Sequence, residues 1–273
     1  MTRIDIDKLA GILRDAAKAE ILPRFRHLEP EQVRRKSEAI DLVTEADEEA
    51  ERFIKGKVAA LAPDALFVGE ESVAADPALL ARLAEADLAI VVDPIDGTAN
   101  FAAGLPLFAV MAAVVSGGET VAGVIYDPMG DDFMLAEKGS GAWRVRADGE
   151  RTKLAFAAPK PLAQMVGLAS VAFLPPDRRP EILANLAKAR MFANYRCAGH
   201  EYRTLVSGFA DFAAYSKLMP WDHLAGALMV QEAGGYAARL DGEPYLPRHV
   251  DGGLIVAADR STWEALRREV FTL

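Results

Sequence analysis

Residues 88–92, Leu-Ala-Ile-Val-Val, run without interruption into Asp93-Pro94-Ile95-Asp96-Gly97-Thr98. A short run of apolar residues reads as a strand buried on both faces. Asp93 therefore stands at the carboxyl end of that strand, where open α/β sheets place their sites. Pro94 opposes a helix or a regular ladder and Gly97 permits a tight turn, so Asp93, the Ile95 carbonyl and Asp96 can converge on one point. Carboxylates brought together need a counter-charge: a pair about 4 Å apart repels by roughly 4 kcal/mol at an effective dielectric near 20. Without a cation such a cluster protonates or separates. All-oxygen ligands, with no Cys or His at ligand spacing, select Mg2+ or Mn2+ over zinc.

Around this passage the pattern reads as two halves. Apolar residues recur at helical spacing over 3–22, ending near Pro23, and over 44–61, opened by the cap-like Thr44 and closed by Pro63. Short strands at 66–68 and 88–92 flank a helical segment at 77–86, and 107–145 reads as an antiparallel meander punctuated by Gly-rich turns. Beyond a polar, Pro-containing passage, strands alternate with helices. The strands are 165–169, 192–195, 212–215, 236–239 and 254–257; the helices are 180–189, 201–209, 222–233 and 261–270. The expected fold class is α/β, with an α+β domain over 1–150 carrying most metal ligands. An α/β domain over 151–273 carries Asp222.

The chain has 273 residues, 51% of them hydrophobic, enough for a substantial core without disulfide or metal staples. Its 31 Lys and Arg against 40 Asp and Glu give a formal charge of -9, a field that repels nucleic-acid polymers. The single cysteine, Cys197, forms no internal disulfide, and the amphipathic start lacks the apolar core of a signal peptide, so a reducing cytoplasm is expected. Residues 97–118 carry no charge, but Gly104 and Pro106 break the stretch, which reads as a loop feeding a buried strand rather than a membrane span.

Four acidic blocks stand beside Gly, Pro or a helix start: 41–47, Glu70-Glu71, Asp93 to Asp96, and Asp222. Each has a plainer reading when taken alone. Asp47 follows Thr44 by three residues and can serve a capping box, and Asp222 can be a favourable carboxylate in a first helical turn. His27, His223 and His249 read as surface or cap residues, and Cys197 as a buried apolar side chain. Next to the carboxylates, the amides of Gly97 and Thr98 would open a helical turn toward an anion, for which phosphate is the natural choice. Metals, a water and an anion cradle together serve phosphomonoester hydrolysis, a reaction that enzymes accelerate by up to about 10²¹-fold. No Walker loop, GxGxxG, GxSxG or CxxC motif points elsewhere.

With DLVTEAD (41–47), GEES (69–72), DPIDGTANF (93–101) and WDHLAG (221–226) followed by EAGG (232–235), the chain resembles the inositol monophosphatase family of lithium-sensitive, Mg2+-dependent sugar phosphatases. The resemblance implies a layered α-β-α-β-α sandwich of the inositol monophosphatase/fructose bisphosphatase type, and a homodimer. It assigns Glu70, Asp93 and the Ile95 carbonyl to an activating metal, and Asp93, Asp96 and Asp222 to a second. A third, weaker ion sits near Glu70, for two to three Mg2+ in all, with Mn2+ as a substitute. Thr98 and Asp47 orient and deprotonate the attacking water with Glu70 as a further catalytic group, Gly97 and Thr98 hold phosphate, and Lys36 falls in a mobile loop.

Two departures lie at the alcohol end. Arg196-Cys197-Ala198-Gly199-His200-Glu201 stands where the family often has Gly-Ser-Ala after an arginine, which marks Gly199, His200 and Glu201 as substrate candidates. Tyr215 occupies the position at which inositol-specific members carry a glutamate. The expected activity is Mg2+-dependent hydrolysis of a small phosphorylated metabolite by a metal-activated water, with inositol monophosphate as the first substrate. Histidinol phosphate, fructose bisphosphate and phosphoadenosine nucleotides are the alternatives, and a non-catalytic regulatory binding module is the reading from another class.

Overall fold

The computed structural model describes residues 4–35 and 42–272, so Lys36 and Asp41 lie outside the described residues. Helix α1 (Ile6–Ala16) is capped by the Asp5 carboxylate, which accepts from the Asp7 and Lys8 amides at 3.1 Å, and it continues as a π turn through Ile21. Strands β1 (Val33–Arg35) and β2 (Leu42–Thr44) pair antiparallel and lead into α2 (Glu45–Leu61). Next come β3 (Leu66–Gly69), α3 (Glu70–Ala75), α4 (Ala78–Glu85), β4 (Leu88–Asp96) and α5 (Thr98–Ala102). The expected meander follows as β5 (Ala109–Ser116), β6 (Glu119–Asp127), β7 (Asp132–Glu137) and β8 (Gly141–Val145), and β9 (Arg151–Lys153) extends it beyond residue 150. In sheet order β3 to β9 form seven consecutive strands; only β3 and β4 run parallel.

The second sheet is built from β10 (Val166–Ala169), β11 (Met191–Ala193), β12 (Phe212–Tyr215), β13 (Tyr236–Arg239) and β14 (Leu254–Ala257), in the order β11-β10-β12-β14-β13. Its helices are α6 (Arg179–Leu186), α7 (Ala198–Val206), α8 (Pro220–Glu232) and α9 (Arg260–Leu266).

Strand alternation sorts the core into layers. Ile90, Val92, Val110 and Val124 face α1 and α2, while Ala89, Val91, Met111 and Ile125 face the opposite way, toward Tyr202 of α7 and Leu224 and Leu228 of α8. Leu168, Ala213 and Val256 of the second sheet close on that same middle layer. The far face of the second sheet packs Phe212, Ala214 and Ile255 against Ile182 of α6 and Trp263 of α9. The order is therefore α1/α2, seven-stranded sheet, α7/α8, five-stranded sheet, α6/α9, the α-β-α-β-α sandwich expected from the resemblance. No helix of the described residues is long and apolar enough to cross a membrane, and the uncharged passage holds α5 and β5.

Two local differences bear on the site. Strand β4 does not stop at residue 92: it continues across Pro94 to Asp96, with a register shift against β5 between Asp93, opposite Met111, and Asp96, opposite Ala109. A bulge lets a ladder pass a residue that has no N–H to donate. Helix α7 starts three residues before the expected 201, because Cys197 takes an extended N-cap conformation (φ -158°).

Candidate active site

Three chain segments bring the carboxylates together. Strand β3 is in register with β4, Gly69 opposite Val92, so Glu70 at the start of α3 emerges beside Asp93. The β4 bulge turns Asp93 and Asp96 toward one side, and Asp222 arrives on the first turn of α8, where Pro220 fits without a lost hydrogen bond. Asp93, Asp96 and Asp222 each offer an oxygen within 4.8 Å of the others. Asp93 is 2% exposed, and its Oδ1 is buried without a hydrogen-bond partner among the described residues. Burial, reinforced by Glu70, Asp96 and Asp222, holds the Asp93 acid well above the ordinary aspartate range. Burial does the same to Asp222, with Asp96 and Glu70 adding to it and Lys217 opposing it. A buried oxygen lacking a donor, within a group of acids forced to keep protons, is the environment that a divalent cation satisfies.

Asp96 is held differently. Its carboxylate accepts from the Ala198 amide at 3.1 Å, from the Gly199 amide, and from the Cys197 thiol at 3.0 Å, all at the N-terminus of α7. Burial raises its acid and these donors offset part of that rise. Cys197 is thus more than the buried apolar side chain expected; its thiol donates to a candidate ligand.

Asp47 serves the capping box and also meets Thr98. Its Oδ2 accepts from the Thr44 amide at 2.8 Å and the Thr44 hydroxyl at 2.6 Å, completing the capping box of α2, while its Oδ1 faces the Thr98 hydroxyl at 3.1 Å. The same hydroxyl lies 3.0 Å from the Ile95 carbonyl. Gly97 adopts φ +89° as the cap of α5, and a Cβ there would meet the Leu107 carbonyl at 3.0 Å and Cys197 Cβ at 3.1 Å. The turn thus requires glycine, and the first amides of α5 have no partner inside the helix.

A cavity of about 940 Å³ opens over these groups, and its lining includes Glu70, Asp96, Gly97, Thr98 and Asp222. Glu201, Tyr215, Phe173, Trp221, Arg196 and Lys217 line it as well. Glu201 is 2% exposed; Oε1 accepts from the Tyr195 amide at 2.8 Å, and burial pushes its acid up to about 7. Tyr215 stands beside it, buried.

Two of the residues expected at the substrate, His200 and Gly199, are not among those that line the cavity. On α7, His200 turns away from the cavity: its Nε2 lies 3.1 Å from the Phe108 carbonyl and 3.9 Å from Asp127. Gly199 is a point of close packing, where a Cβ would stand 2.8 Å from Ala109 Cβ. The helical period explains both, since adjacent residues on α7 diverge by about 100° and Glu201 alone of the three lines the cavity. His223, read as a surface or cap residue, is buried between the Tyr202 hydroxyl (3.2 Å) and the Lys217 carbonyl (3.0 Å), and burial lowers its pKa to about 4. Sequence reasoning also missed Glu51, buried behind Glu70; its spacing within α2 is helical, and nothing in its neighbours marks it.

The model of the inositol monophosphatase family matches residues 5–271. This chain belongs to that family. It is 32% identical over 218 residues to the fructose-1,6-bisphosphatase/inositol-1-monophosphatase of Thermotoga maritima, an alignment covering 77% of this chain and 76% of that protein. It is 30% identical over 237 residues to the Nus factor SuhB of Pasteurella multocida, covering 84% and 82%. Among solved structures, an IMPase of Thermotoga maritima superposes with a TM-score of 0.82 at 26% identity, covering 98% of this chain and 96% of that one. As an inositol monophosphatase family member the chain is a phosphatase of the metal-dependent kind, and its acidic cluster has the donor set for a metal.

Proposed function

We propose that this family member hydrolyses the phosphate monoester of a small alcohol with Mg2+ as cofactor, and that inositol monophosphate is the first substrate to test. The observation that carries the reading is the buried Asp93 Oδ1, without a hydrogen-bond partner among the described residues, in a group of three acids, Asp93, Asp96 and Asp222, whose oxygens lie within 4.8 Å of one another. Glu70, Asp93, Asp96, Asp222 and the Ile95 carbonyl would hold two to three Mg2+, with Mn2+ as a substitute. When bound, Mg2+ supplies positive charge for the phosphoryl oxygens and lowers the pKa of coordinated water.

The protein's own groups have distinct tasks. The Thr98 hydroxyl can donate to Asp47 Oδ1 at 3.1 Å, which leaves its lone pairs to accept from an attacking water. The proton released in the attack passes through Thr98 Oγ1 to Asp47, a buried carboxylate already fixed by Thr44. The Gly97 and Thr98 amides orient phosphate. Glu201 and Tyr215 face the alcohol; Gly199 and His200 support that segment from behind. Tyr215 in place of a glutamate leaves histidinol phosphate, fructose bisphosphate and phosphoadenosine nucleotides as competing substrates. The reading includes a cytoplasmic homodimer and a domain division near residue 150.

Phosphate release from a panel of inositol, sugar, histidinol and nucleotide monophosphates, with Mg2+ and with chelator, tests it. Mg2+-dependent release from one or more members is expected, and no release from any member with Mg2+ present would refute the activity. A non-catalytic module predicts that second result.

A further inference from the structure

Glu51 lies on α2, more than one helical turn beyond Asp47, and is 4% exposed, yet it is paired with no lysine or arginine within 4.0 Å among the described residues. Its carboxylate is instead turned onto the start of α3. Oε2 accepts from the Glu71 amide at 2.7 Å, and Oε1 from the Ser72 amide at 2.8 Å and the Ser72 hydroxyl at 2.6 Å. Gly69 makes room for it: a Cβ at that position would stand 2.2 Å from the Glu51 carboxyl carbon and 2.3 Å from Oε2. The N-cap residue of α3 is that same glycine, which has no side chain with which to cap the helix. A carboxylate from a different helix thus supplies the capping acceptor, and it does so one residue away from Glu70.

We propose that Glu51 is the positioning residue for Glu70: by fixing the amides of residues 71 and 72 from behind, it aims the Glu70 side chain at Asp93 and Asp222 and sets the affinity of the site for its divalent cation. The inference rests on the metal reading above and assigns a role to a residue outside the four acidic blocks. Three features support positioning over simple helix capping. The acceptor belongs to α2, the helix whose first turn carries Asp47, so one rigid element sets both Asp47 and Glu70. Glu70, the first residue of α3, lines the same cavity as Asp96 and Asp222, so a shift in α3 is felt at the ligands. Lastly, groups that orient metal ligands from behind typically change metal affinity by about 10–100-fold when removed.

The test uses the full chain and Mg2+ itself as the probe. Calorimetric Mg2+ titration of wild type, Glu51→Ala, Glu51→Gln and Ser72→Ala is combined with hydrogen exchange at the amides of residues 71 and 72. The expected result is a loss of Mg2+ affinity of about 10–100-fold for Glu51→Ala, with smaller losses for Glu51→Gln and Ser72→Ala. Faster exchange at the two amides should follow the same order. Gly69→Ala displaces the carboxylate from the other side, so it should weaken Mg2+ binding in wild type. In a Glu51→Ala background, where nothing remains to displace, it should add no further loss. If Glu51→Ala does not fold, Ser72→Ala and Gly69→Ala carry the same expectation.

Folded variants with lower thermal stability but wild-type Mg2+ affinity would reduce Glu51 to a helix cap and overturn the proposal. A wild-type protein that takes up no Mg2+ would overturn the metal reading, and this inference with it.

Discussion

Asp93 and Glu201 show at the level of single residues how burial is turned to use. The Glu201 acid keeps its proton up to about 7 in the fold, against 4.5 for an ordinary glutamate. Between those values the folded form holds a proton that the unfolded chain has released, so stability falls as pH rises across the window. For a carboxyl this deeply buried the loss amounts to about 3 kcal/mol. Denaturant unfolding in chelator at several pH values between 4.5 and 7 should give a shallower decline for Glu201→Gln than for wild type. Equal slopes would mean that Glu201 titrates normally. Thr98 makes a second case, because its hydroxyl and not its methyl faces Asp47. Thr98→Ser should retain turnover within a few fold, and Thr98→Val should lose about 10²-fold or more. Similar rates for the two variants would remove the hydroxyl from the proton path.

Among the elements, the approach of α7 to α8 places Asp96's donors and Asp222 in one layer. Gly226 of α8 permits it: a Cβ there would meet the Tyr202 ring at 2.0 to 2.4 Å. Gly226→Ala should therefore cost about 1–3 kcal/mol through overpacking, measured by denaturant unfolding, since the buried ring has nowhere to retreat. Unchanged stability would show that the layer can yield. Most strands and helices were legible because their apolar residues keep periods of 2 or 3.6, and β12, β13 and β14 match the expected ranges residue for residue. What escaped was set by tertiary contact. Helix α3 has six residues and no side-chain cap of its own, and Glu51, nineteen positions earlier than Glu70, supplies the acceptor at its start. The continuation of β4 past Pro94 depends on a bulge against β5 that no local signal announces. The side of α7 facing the cavity likewise depends on where the helix begins, which is why Glu201 and His200 were not told apart.

Over the whole molecule, the fold acts as a device for convergence. Two sheets and the α7/α8 layer between them carry Glu70, Asp96 and Asp222 to the wall of one cavity, with Asp93 buried against Asp96 and Asp222 and with Asp47 joined to the wall residue Thr98. The motifs made those residues legible, because strand ends and helix starts beside Gly and Pro are where backbone geometry can present a carboxylate. The alcohol end stayed less legible, since its residues are selected by shape and not by charge. Divalent cation binding in this account serves the reaction and also relieves the strain of holding acids together in a buried place. The most direct check is phosphate release by Asp93→Asn beside wild type on the preferred phosphomonoester, across a Mg2+ titration. The account predicts that the variant folds, because asparagine nearly matches aspartate in size and shape, and that its Mg2+-dependent turnover is abolished at every Mg2+ concentration. Turnover like that of the wild type in this variant would contradict it.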